Sequence, residues 1–295
     1  MRVAITGSSG LIGTALRSAL TERGDTIVRV VRGNAGPDDC LWDIDAGTID
    51  AAALDGVDAV VHLAGEGIGE SKWTPEQKAK IRDSRANGTA LIAKTIASLD
   101  NLPSVFLSGS AIGFYGDRGD EKLTEASPRG SGFLSDVVVG WEAAAAPATS
   151  AGIRTAFSRT GVVLTPAGGA LKEQLPFFKL GIGGKIGDGS QYWSWISITD
   201  MIRGLLHILD NDLSGPINLT APNPSTNAEF TTALGKQLGR PTFLPTPKAA
   251  LHIRLGKEMA ETLLFDSARV MPEVLLESGF AFEHPTIDAA FAAVL

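Results

Sequence analysis

The chain has 295 residues, 44% of them hydrophobic and 20% charged, which is enough apolar material for a large core and too little charge for a disordered chain. Its 26 Lys and Arg against 33 Asp and Glu leave a net charge of -7, the wrong sign for collecting phosphate backbones, and this excludes nucleic acid and anionic membrane as main partners. A single cysteine, Cys40, excludes an intrachain disulfide scaffold; no apolar run approaches about 18 residues and Met1 leads straight into a strand pattern, so the expected location is the cytoplasm.

Arg2 to Thr6 is a strand candidate, followed by a helix from Gly10 to Arg23 and a strand from Thr26 to Val31. Between the first two lies Thr6-Gly-Ser-Ser-Gly-Leu-Ile-Gly13, with glycines at 7, 10 and 13. Glycines in that place allow a tight turn, close approach of a pyrophosphate to the backbone, and close packing of helix on strand, while the helix N-terminus offers free N–H groups. Gly7, Ser9, Gly10, Leu11, Ile12 and Gly13 are therefore candidate cofactor contacts. An NAD site ends its second strand with Asp or Glu for the ribose 2′-hydroxyl, whereas Arg32 stands here. A guanidinium pairs with a 2′-phosphate, so the expected cofactor is NADP.

Further strands are expected at Ala59 to Leu63, Ser104 to Ser108 and Arg154 to Leu164, with helices around Pro75 to Ser98 and Phe133 to Pro147. The strands are apolar on nearly every position, as strands covered on both faces must be. The fold class is α/β: a doubly wound parallel sheet, an extended Rossmann unit over residues 1–165, with a smaller discontinuous C-terminal α/β lobe. Beyond Pro166 glycine and proline cluster, so 166–193 and 213–295 are assigned to that lobe, while 194–212, a short strand plus helix, is expected to return to the first unit. The aromatic run Gln191 to Trp195 suits either a pocket wall or packing between lobes, and Lys172 and Lys185 flank it. The four histidines are dispersed; His62 reads as a core residue, and no metal-ligand spacing is present.

The glycine spacing, Asp58-Ala-Val-Val-His-Leu-Ala-Gly65 and Asn87-Gly-Thr89 together resemble the extended short-chain dehydrogenase/reductase superfamily of nucleoside-sugar epimerases and dehydratases. The blocks HLAGEGI, KWTPEQKAKIRDSR, SAIGFYG, SRTGVVLTPAGGAL and GPINLTAPNPSTNAEF narrow the resemblance to its atypical subfamily of epimerase family proteins, called member 39U in eukaryotes. The segment 240–295, with LFDSARVMPEVLLESGF, resembles the small domain that ends such proteins. The resemblance implies that Val31 and Arg32 meet the 2′-phosphate, that Leu63, Ala64, Gly65 and Ser108 line the cofactor, that Lys80 and Arg85 face it, and that Val163 lies near the nicotinamide. Lys80 and Arg85 are five residues apart on a helix and need not share a face, so solvated charges are the alternative for both.

Hydride transfer in the superfamily uses Tyr-x-x-x-Lys with a Ser or Thr. Neither Tyr115 nor Tyr192 begins that motif, since Gly119 and Ile196 follow four residues on. Aligning Glu142 with the acid that follows the motif puts Leu134 and Val138, give or take a residue, where Tyr and Lys belong. Ser110 matches the superfamily's catalytic serine and Tyr115 lies close behind it, so these two are the catalytic candidates. The expected function is an NADP-dependent oxidoreductase or epimerase acting on an unidentified small molecule, with a non-catalytic NADP(H)-binding or redox-sensing module as the competing class. The oligomeric state is left open, a homodimer being one option.

Overall fold

The computed structural model describes residues 1–295. In chain order, β1 (Arg2–Thr6), α1 (Leu11–Glu22) and β2 (Thr26–Val31) are followed by β3 (Cys40–Asp43), β4 (Thr48–Ile49), the single turn α2 (Ala51–Leu54) and β5 (Ala59–His62). Helix α3 (Pro75–Ile96) begins sharply because Thr74 accepts from the Gln77 N–H and Pro75 occupies the first helical position. Then come β6 (Val105–Ala111), a 3₁₀ turn at Ile112–Tyr115, β7 (Lys122–Leu123), α4 (Phe133–Ala143), α5 (Ala146–Ser150), β8 (Arg154–Thr160) and β9 (Val162–Leu164). The remainder contains α6 (Gly169–Lys179), β10 (Tyr192–Trp193), β11 (Trp195–Ser197), α7 (Ile198–Asp210), β12 (Gly215–Leu219), β13 (Ser225–Thr226), α8 (Asn227–Leu238), α9 (Lys248–Leu255), α10 (Lys257–Ala260), β14 (Arg269–Val270), α11 (Glu273–Glu277) and α12 (Ile287–Val294).

Eight strands form one sheet in the order β12-β8-β6-β5-β1-β2-β3-β4, parallel except for the β3–β4 hairpin. Side chains alternate across a strand, and β1 divides accordingly. Val3 and Ile5 pack with Leu16 of α1 and with Met201 and Leu205 of α7, while Ala4 packs with Ile92 and Ile96 of α3 on the other face. Helices therefore cover both faces, and the fold is the doubly wound α/β class that the strand pattern predicts. A separate core gathers Leu171, Trp193, Trp195, Phe230, Leu234 and Phe291. No helix is long and apolar enough to cross a membrane.

Two expectations need correction. The strand expected over Arg154 to Leu164 breaks at Gly161, whose N–H donates to the Leu219 carbonyl while the next N–H, Val162, donates to Ser194. The chain changes partners there, leaving the main sheet for a parallel pairing of β9 with β11, and a Cβ at Gly161 would stand 2.5 Å from the Ser194 oxygen. Second, residues 213–295 do not all belong to the smaller lobe: β12 is the edge strand beside β8, and Leu275 and Phe280 join the core of the main sheet. Of the two readings left open for the aromatic run, packing holds for Trp193 and Trp195, which are buried in the smaller core.

Candidate functional site

The glycine turn closes on itself. Gly7 has φ +64, a conformation that favours glycine, and its carbonyl accepts from the Gly10 N–H at 3.0 Å. A Cβ at Gly13 would stand 2.2 Å from the Gly7 oxygen, and one at Gly7 would stand 2.8 Å from the Ala64 nitrogen. Turn, helix start and the 63–64 segment are thus in backbone contact. Helix α1 starts at Gly10 with no side-chain cap and no acidic residue in its first turn, so its leading N–H groups remain free for an anion. Ser9 and Gly10 are exposed, Leu11 and Ile12 half-buried and Gly13 buried. Val163 lies in β9, and the loop that follows packs on Leu11: a Cβ at Gly168 would lie 3.0 Å from its Cδ1.

Leu63 and Ala64 are pinned from below. Their N–H groups both donate to Thr6 Oγ1 at 3.1 Å, and that hydroxyl lies 2.7 Å from His62 Nδ1. With both amides directed at its oxygen, Thr6 gives its own proton to Nδ1, which leaves the imidazole proton on Nε2. Burial, then the nearby Arg85 charge, push His62 down to about 3, so the ring is neutral and structural.

The cationic candidates separate. Val31 is half-buried at the end of β2, and Arg32 beyond it is exposed with no ion-pair or hydrogen-bond partner, whereas Arg29 is held by Asp39. Arg85 turns inward, with its Cζ 5.0 Å from the Trp141 ring centre and one terminal nitrogen donating to the carbonyls of Glu66 and Ile81 at 2.9 and 3.0 Å. No carboxylate pairs with it; burial, only partly offset by Glu66, lowers it to about 10, so it remains cationic at neutral pH. Its guanidinium lies on Gly65, where a Cβ would stand 3.3 Å from Cζ. Lys80 is exposed and bonded to nothing, and the structure does not bring it to the face that carries Arg85. The helical offset of five residues, about 140° around the axis, is the reason.

Around Ser110 the structure assembles a buried polar chain. Ser110 Oγ donates to Glu142 Oε1 at 2.6 Å, and Arg159 grips the same carboxylate with Nε to Oε1 and a terminal nitrogen to Oε2, both at 2.8 Å. The other terminal nitrogen of Arg159 donates to the Tyr115 hydroxyl at 3.1 Å, which in turn donates to Asn218 Oδ1 at 2.8 Å. Burial opposes the Arg159 charge, but Glu142 and then Tyr115 hold its pKa above the usual value. Tyr115 is fully buried, and burial raises its phenol despite Arg159 and Asn218. This corrects its reading as a proton exchanger: its proton is committed to Asn218. Strand β6 runs on to Ala111, so Ser108 lies inside it, fully buried, with Oγ donating to the Gly109 carbonyl.

At the positions where the superfamily motif belongs, Leu134 packs on Gly113 and Val138 is buried, so neither carries a proton. Arg159 was missed in the sequence, although a charge inside the buried strand run TAFSRT is the signal that could have found it. Glu142 entered only as an alignment marker, because nothing in sequence spacing places it beside Ser110. Asn87 is exposed on α3, and no group of three His, Cys, Asp or Glu side chains stands close enough to hold a metal.

The profile of the NAD dependent epimerase/dehydratase family matches residues 3–219, and a domain of unknown function (DUF1731) matches 246–294. The chain is 43% identical to an epimerase family protein of Mycobacterium bovis over 98% of this chain and 95% of that one. It is 36% identical to the human epimerase family protein SDR39U1, with each chain fully covered. The crystal structure of the human protein (isoform2) with NADPH superposes with a TM-score of 0.91 at 35% identity, covering 100% of this chain and 99% of that one. A nucleoside-diphosphate sugar epimerase of Corynebacterium glutamicum gives a TM-score of 0.80 at 39% identity, covering all of this chain and 58% of that one.

Proposed function

The chain belongs to the NAD dependent epimerase/dehydratase family, and from that premise we propose that it is an NADP(H)-dependent oxidoreductase or epimerase acting on a small molecule. The observation that carries the cofactor choice is Arg32: an exposed guanidinium without a partner where an NAD site has an acid. The human relative crystallised with NADPH supports the same choice.

The residues fit a dinucleotide, because the cradle between Gly7, Gly10, Gly13 and the 63–64 segment is one that a Cβ at Gly7 or Gly13 would fill. In this reading the glycines and the free N–H groups of α1 take the pyrophosphate, Val31 and Arg32 the 2′-phosphate end, and Leu63, Ala64, Gly65, Arg85 and Val163 the remainder. When bound, NADP(H) supplies a hydride donor or acceptor. Ser110 orients the reacting oxygen. The buried free thiol of Cys40 suits a reducing compartment, and we place the protein in the cytoplasm. The second reading, a cofactor-binding module without turnover, is favoured by Leu134 and Val138 in place of the usual acid–base pair.

Calorimetry with NADPH and NADH tests the proposal. One charge-assisted contact is worth about 1.5 to 3 kcal/mol, so NADPH is expected to bind at least about tenfold more tightly, and Arg32→Glu is expected to remove that preference. Equal affinities in the unaltered protein would refute the NADP assignment.

A further inference from the structure

We infer that Glu142, held by Arg159, sets the polarity of Ser110 and is the site's proton acceptor, so that the ligand group received at Ser110 is the hydroxyl of an alcohol, not a carbonyl. The inference deepens the NADP(H) reading above and rests on it.

A serine hydroxyl has one proton to give and lone pairs to receive with. Here the proton is taken: Glu142 Oε1 is 2.6 Å away, and the carboxylate accepts two bonds from Arg159, one on each oxygen. Ser110 therefore faces a ligand as an acceptor. A ligand carbonyl, also an acceptor, would leave two oxygens opposed without a proton between them, whereas a hydroxyl supplies one. The ordinary donor at such a site is absent, since Leu134 and Val138 are apolar and Tyr115 gives its proton to Asn218.

The same contact offers a proton path. As the ligand O–H bond breaks, its proton passes to Ser110 Oγ while the Ser110 proton passes to Glu142 Oε1. Serine is restored, Glu142 becomes a neutral acid, and the electron pair stays on the ligand oxygen. The path ends at Glu142, because Arg159 beyond it stays protonated. The carboxylate is also the more open end of the pair, its side chain 14% exposed against 4% for Arg159. Glu142 acts through Ser110 and is a positioning residue in that sense.

The test uses the full chain loaded with NADP and two matched probes, cyclohexanol and cyclohexanone, with binding read by ligand-observed NMR. The expected result is a preference for the alcohol of about tenfold or more, kept in Glu142→Asp, lost in Glu142→Gln, and accompanied by loss of alcohol binding in Ser110→Ala. NADPH affinity by calorimetry is expected to stay within about twofold in all three variants, which separates this inference from the cofactor reading and from misfolding. Three outcomes each overturn the inference: equal or tighter binding of the ketone by the unaltered protein, a preference that survives Glu142→Gln, or no alcohol binding by a protein that still binds NADPH. An unaltered protein that binds no NADPH overturns the cofactor reading and this inference with it.

Discussion

Thr6 holds together more of the site than any residue expected to touch a ligand. Its single oxygen receives two N–H groups, at Leu63 and Ala64, and its proton goes to a histidine that burial keeps neutral. Thr6→Val preserves shape but removes the oxygen, leaving the part-buried Ala64 amide without a partner and the Leu63 amide with only its bond to the Thr6 carbonyl at 3.3 Å. The expected loss of stability is about 1 to 3 kcal/mol, read by denaturant unfolding. Because the 63–64 segment touches Gly7, NADPH affinity is expected to fall in the same variant. A variant as stable as the parent would show that water or a shifted backbone serves these amides equally well.

Among the elements, the wide turn after α10 concentrates acid. Over Glu261–Phe265 the helix loosens, the Asp266 N–H reaching back five residues to the Glu261 carbonyl at 2.9 Å. Burial first, then the charges of Asp117 and Glu261, push the Asp266 carboxyl up to about 6. An acid whose folded pKa lies above its unfolded value of about 3.9 binds its proton more tightly when folded. Stability therefore falls as pH rises between those two values, and the full penalty stands above about pH 6. Asp266→Asn is expected to raise the melting temperature at pH 7.5 and to leave it nearly unchanged at pH 3.5. Asp266 is half-buried, so solvent screening holds the gain at neutral pH to the order of 1 kcal/mol. A gain of equal size at both pH values would point to hydrogen bonding instead of charge.

For the molecule as a whole, the C-terminal segment packs into the core of the main sheet. Leu275 of α11 is fully buried with Val3, Ile5 and Leu205, while Phe291 of α12 lies in the smaller core with Trp195 and Phe230. One short stretch of chain thus ties two cores together. Leu275→Ala is expected to cost about 2 to 5 kcal/mol, and in a single unfolding transition detected alike by tryptophan fluorescence and far-ultraviolet dichroism. Separate transitions, with the N-terminal sheet unaffected, would mean that the segment folds as an appendage.

The sequence by itself determined the doubly wound sheet, the glycine turn and the inward strand faces, because each depends on local periodicity and on glycines whose spacing requires no distant partner. Arg32 was legible for the same reason, as one position counted from the turn. The tertiary structure decided what lies far apart in the chain. It placed β12 and Leu275 in the main layer, broke the strand at Gly161 to meet Ser194, and buried the tryptophans that composition left open between pocket and core. It also committed the Tyr115 proton to Asn218 and the Ser108 proton to the Gly109 carbonyl, and joined Ser110 to Glu142 and Arg159. A hydrogen bond has no sequence period, and a buried charge is tolerable only when the fold delivers its partner, so only the packed molecule reveals which serine, carboxylate and guanidinium act together.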